Sequence, residues 1–121
     1  LQHTSIFEKY IMRNIPELSQ WMEQYKGNES FYALLEAYEK ALENLDNARE
    51  RKRAAKEAYQ IAMENNDLSE FDRLSLLTLF RRTKYFFLAE KAGYQLAKYA
   101  LEHWVDEQTG VARKWAVKKN I

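Results

Sequence analysis

With three Gly and one Pro in 121 residues, the chain has almost none of the residues that end a helix. That scarcity constrains its fold more than any motif does. From Asn28 the first break is the pair Asn65-Asn66, and beyond it the next stop is Gly110. Two helices of more than thirty residues follow, one running from Asn28 or Ser30 to the Asn pair and one to about Gln108. The second opens at Asp67-Leu68-Ser69-Glu70, which reads as a capping box. Ahead of them, Ser5-Ile6-Phe7-Glu8 reads as the cap of a short helix. Asn14-Ile15-Pro16-Glu17 reads as the start of another, running to about Lys26 and stopped at Gly27.

The first long helix carries a heptad. Phe31, Tyr38, Leu45, Lys52 and Tyr59 fall on one seam position, and Leu34, Ala41, Ala48, Ala55 and Ala62 on the other. Four alanines at seven-residue spacing let a neighbouring helix come close, as the partner in an antiparallel hairpin would. The last long helix answers with Leu74, Arg81, Leu88 and Gln95, and with Thr78, Tyr85, Ala92 and Tyr99. Ala89, Gly93 and Ala97 add a small-residue stripe, for which close backbone approach is the expected reason. The expected fold is therefore all-α. It is an elongated three-helix bundle made of an antiparallel hairpin of two long helices plus a broken N-terminal helix. Residues 1–110 form the bundle and residues 111–121 a basic tail.

Leu76, Phe80, Phe87, Tyr94 and Leu101 lie off the assigned seam of the last helix, and so do Leu79, Phe86 and Trp104. The short N-terminal pair is too short to cover all of them. A second protomer is the expected cover, with Leu76, Phe80, Phe87, Tyr94 and Leu101 as the oligomer interface.

Charge is blocked rather than mixed: residues 27–48 sum to −4, 49–56 to +4, 57–72 to −5, 73–84 to +4 and 111–121 to +4. With the hairpin folded at residue 67, the basic blocks meet at one level, roughly 24 Å from the tip at 1.5 Å per residue. This belt comprises Arg49, Arg51, Lys52, Arg53 and Lys56 against Arg81, Arg82 and Lys84. Lys52 and Arg81 also break the apolar pattern of their seams. Two readings stay open. The cations can lay their methylenes along the seam and pair with local carboxylates, which fixes the register of the hairpin. Alternatively the belt is an anion site, joined by Arg113, Lys114, Lys118 and Lys119 of the tail, for phosphates or an acidic protein surface.

Catalysis finds no support. The chain has no Cys, and its only histidines are His3 and His103. His103 with Glu107 could supply half a metal site, but the paired Glu-x-x-His motifs of a di-metal bundle are missing. No glycine loop for phosphates and no Ser-His-acid set can be argued. The chain reads as non-enzymatic, without metal, cofactor or small-molecule substrate. The absence of Cys fits a reducing compartment such as the cytoplasm. No run is apolar enough to span a bilayer, and no signal-peptide pattern opens the sequence, which begins on Leu. The first functional expectation is an adaptor or regulator that binds protein through helix faces, as a homo-oligomer. The alternative is a nucleic-acid-binding accessory protein that contacts phosphates through belt and tail.

Overall fold

The computed structural model describes residues 14–110, and all three helices assigned there are α-helices. Helix α1 spans Leu18–Gln24, α2 spans Glu29–Glu64 and α3 spans Glu70–Thr109. No strand occurs among the described residues. The expected cap at Ser5–Glu8, the tail from residue 111 and its cations Arg113, Lys114, Lys118 and Lys119 lie outside them.

Local chemistry sets the boundaries. Gly27 takes φ 84° and Gly110 φ 73°, the left-handed backbone where a Cβ is strained. At the start of α2 the Asn28 Oδ1 accepts a 2.9 Å hydrogen bond from the Phe31 amide, which supplies one of the four orphan donors with a partner. Asn28→Ala should therefore cost ~1 kcal/mol. Urea unfolding of the single variant reads this directly, and an unchanged midpoint would show the cap to be dispensable. At the start of α3 the cap is Ser69, whose Oγ accepts from the Asp72 amide at 3.1 Å. Asp67, the expected cap, instead donates its amide to Asn65 Oδ1 at 2.9 Å inside the connection. The capping residue thus sits two positions later than the sequence reading placed it. Arg73 closes the same connection by donating to the Asn65 carbonyl at 2.7 Å.

The long helices pack against each other, and their contacts fall into two units. Among the described residues, one joins those up to Glu39 with those from Leu96 to Gly110; the other is Lys40–Gln95. In the first, Ile15, Leu18 and Trp21 are buried with Phe31, Leu35, Tyr38, Leu101 and Val105. Aromatic rings dominate it. Tyr25 meets Trp104 edge-on at 5.0 Å, and Phe31 lies 5.9 Å from Trp104 and 5.5 Å from Tyr25. In the second unit Leu42, Leu45, Ala48, Ala55, Ala62 and Tyr94 are buried. Tyr59 stacks on Phe80 there, with ring centroids 6.4 Å apart.

The seam of α2 follows the heptad with one change of phase. Phe31, Tyr38 and Leu45 are buried as expected, but Leu35 and Leu42 are buried where Leu34 and Ala41 were expected, and those two are only half-buried. From Ala48 onward the expected alanines take over. The two three-residue steps from Leu42 to Leu45 to Ala48 shift the stripe, a local irregularity of the kind that alters supercoiling.

On α3 the assigned seam faces the wrong way. Leu74, Thr78, Arg81, Tyr85, Leu88, Ala92 and Gln95 are all exposed. The side turned inward is Arg73, Leu76, Phe80, Thr83, Phe87, Glu90, Tyr94, Ala97, Leu101 and Trp104, half-buried or buried throughout and spaced alternately by three and four. The five residues expected to meet a second protomer (Leu76, Phe80, Phe87, Tyr94 and Leu101) are thus on the side that the chain itself covers. Nor is Gly93 a site of close approach within the chain: a Cβ built there meets nothing within 4 Å.

Candidate functional site

Two heptad stripes run along α3. The inner one packs within the chain. The outer one lies roughly 150° around the helix at 100° per residue, and it remains at the surface. Its large members are Phe71 at 76% exposure, Leu74 at 55%, Tyr85 at 70% and Leu88 at 48%. Leu79 and Phe86 widen it on one flank, and both are also exposed. A shallow groove lies along its start, lined by Phe71, Leu74, Ser75, Thr78, Leu79 and Arg82. With full aromatic side-chain areas of about 150–250 Å², the six large residues expose on the order of 700 Å². The largest apolar patch on an ordinary monomer is about 300–600 Å². Scattered exposed leucines would mean little, whereas apolar pairs at coiled-coil spacing, here Phe71 with Leu74 and Tyr85 with Leu88 on either side of Thr78 and Arg81, suit another helix.

Cations border this stripe on both sides. Arg81 sits within it, Arg82 beside it, and Lys84 and Lys91 along one flank, all exposed. From Arg73 to Gln95 the single carboxylate is Glu90, which is half-buried on the inner side. No ion pair to Arg81, Arg82 or Lys84 occurs among the described residues.

The α2 half of the belt is arranged differently. Arg53 pairs with Glu50 at 2.6 Å, and that hydrogen bond, with the charges of Glu50 and Glu57, holds its guanidinium above the ordinary value. Arg49 pairs with Asp46 at 3.6 Å. Lys52, half-buried on the seam, lays its Nζ 4.3 Å from the centre of the Phe87 ring, with the Arg49 guanidinium 5.8 Å away on the same ring. A seam cation is therefore tolerated because it meets the negative face of an aromatic ring and not a second cation. Arg81, its expected counterpart, is exposed and off the inner seam. The opposing residue is Phe87, one heptad beyond the Phe80 that stacks on Tyr59, itself one heptad beyond Lys52. Arg51 and Lys56 are exposed.

A further pattern escaped the sequence reading, although seven-residue spacing alone would have found it. Glu29, Glu36, Glu43, Glu50, Glu57 and Glu64 recur at every seventh position of α2, and all six are exposed. They form an acidic column on the side of α2 away from its seam. The blocked charge thus maps onto helix faces, acidic outside α2 and, between Arg73 and Gln95, basic with apolar residues outside α3.

The His103 Nε2 lies 2.6 Å from a Glu107 carboxylate oxygen on the surface. Among the described residues no three His, Asp or Glu side chains converge as a metal site would require, and no helix is long and apolar enough to cross a membrane. No protein-family model matches the chain, and neither a curated protein nor a solved structure is similar to it.

Proposed function

We propose that this protein is a non-enzymatic interaction module that recognises a protein partner through a helix face, the outer stripe of α3. The observation that carries the reading is the second heptad on α3, with Phe71, Leu74, Tyr85 and Leu88 exposed at coiled-coil spacing while the first heptad is used within the chain. Exposed apolar area of this extent costs solubility unless something covers it.

Nucleic-acid binding through the belt is the weaker reading. Three of the α2 cations have local partners: Arg49 on Asp46, Arg53 on Glu50 and Lys52 on Phe87. The acidic column of α2 would also repel a phosphate backbone lying along that helix.

A photo-crosslinking residue placed at Tyr85, in the cell that makes the protein, tests the reading. The expected result is a discrete protein adduct from position 85 and none from a control at Glu57, on the other long helix. A nucleic-acid adduct at 85, or no adduct, would overturn it.

A further inference from the structure

The charge around the outer stripe says which kind of helix fits it, granted the reading just proposed. In a packed helix pair the positions flanking the apolar seam face the partner's flanks, and their charges choose the partner. Here the flank carries Lys84 and Lys91, the seam itself carries Arg81, and Arg82 lies beside it. No carboxylate on this face balances them between Arg73 and Gln95.

A second copy of the same face is a poor occupant. Pairing α3 with α3 in parallel register brings Arg81, Lys84 and Lys91 of both copies together, with the exposed acids Glu70 and Asp72 more than a heptad away, and like charges facing each other at an interface are strongly unfavourable. The acidic column of α2 from a second copy has the right sign but lacks grease. Ile61 and Met63 are the only large hydrophobic residues exposed on that helix among those described.

We infer that the outer stripe of α3 docks an acidic amphipathic helix from another protein. Its apolar seam lies over Leu74, Tyr85 and Leu88, a carboxylate meets Arg81, and acidic flanks run beside Lys84 and Lys91. The four large residues of the stripe itself expose on the order of 500 Å², more than half of the ~800 Å² per partner of a standard stable interface. Ala89, Ala92 and Gly93, all exposed, give that helix a place to come close.

The probes are two synthetic helical peptides of about four heptads that share a Leu/Ala seam. One has glutamate flanks with one seam glutamate, and the other has lysine at every such position. Binding is read by fluorescence anisotropy against the full chain. The glutamate peptide should bind at least roughly tenfold tighter than the lysine peptide, a difference of ~1.4 kcal/mol, and its affinity should fall with added salt. In the Arg81→Glu, Arg82→Glu variant, where Lys84 and Lys91 balance the two new carboxylates, the preference should vanish, and Tyr85→Ser should weaken both peptides while circular dichroism stays unchanged. Equal binding of the two peptides, or a preference that survives the charge reversal, would overturn the acidic partner yet leave a helix-binding face. If sedimentation finds a dimer that Tyr85→Ser dissolves and the glutamate peptide does not compete with, the occupant is a second copy and the inference is wrong. If neither peptide binds and the chain stays monomeric, both inference and functional reading fail.

Discussion

Phe31→Ala is expected to lower the unfolding free energy by ~3–5 kcal/mol. The side chain is fully buried and lies among three rings, Tyr25 at 5.5 Å, Trp104 at 5.9 Å and Tyr32 at 6.0 Å. Its place in the chain adds to the loss. Phe31 stands in the first turn of α2, and its amide is the donor that Asn28 caps. Neighbouring side chains cannot collapse into the space without disturbing the helix start or the α1 turn, where Gly27 donates to the Tyr32 hydroxyl at 2.8 Å. For a domain whose total stability is about 5–15 kcal/mol, that is a large share. Urea melts followed by circular dichroism should show a lower midpoint with little change in slope. A loss below about 1 kcal/mol would mean that the aromatic cluster repacks around the gap, and the assignment of a tight core there would be wrong.

The two long helices were legible because their punctuation is chemical. Gly27 and Gly110 do take left-handed backbone, and α2 does end at Glu64 just before the Asn pair. The seam of α2 was legible because alanine and leucine alternate with charge along one line. The seam of α3 was not, for a physical reason. Both the stripe through Leu74, Tyr85 and Leu88 and the stripe through Phe80, Phe87 and Tyr94 satisfy heptad spacing and are comparably apolar. Periodicity measures that a face is apolar, not which neighbour covers it. What decides between them is the partner that each side meets on α2: Phe80 stacks on Tyr59, and Phe87 lies against Lys52 and Arg49. The outer stripe was thus taken for the hairpin seam although it lies exposed, and the basic belt inherited that error through Arg81. The glutamate column went unread because attention to charge blocks averages over faces, whereas a helix sorts charge by face.

The last expected result returns to Lys52, the cation on the inner seam. Phe87→Ala should cost ~2–3 kcal/mol, less than the ~3–5 of a fully buried phenylalanine because the ring is only half-buried. Part of that cost belongs to the cations above the ring, with the Lys52 Nζ at 4.3 Å and the Arg49 guanidinium at 5.8 Å. Lys52→Met keeps an unbranched apolar stem, one atom shorter, and removes the charge. It gives up the attraction to the ring while easing repulsion from Arg49, Arg51 and Arg53, so alone it should fall within about 1 kcal/mol of neutral. Phe87→Leu keeps apolar volume and removes the aromatic face. Combining it with Lys52→Met closes a double-mutant cycle whose coupling should be ~0.5–2 kcal/mol, the range for a cation over a ring from exposed to desolvated sites. Because cation–ring attraction is electrostatic, the coupling should shrink as salt rises. Zero coupling would leave Lys52 as a passive chain that lays its methylenes on the seam, with the ring contributing only its apolar area. A strongly destabilised Lys52→Met would point instead to a carboxylate held by Lys52, and the account of the seam would have to be rebuilt around that pair.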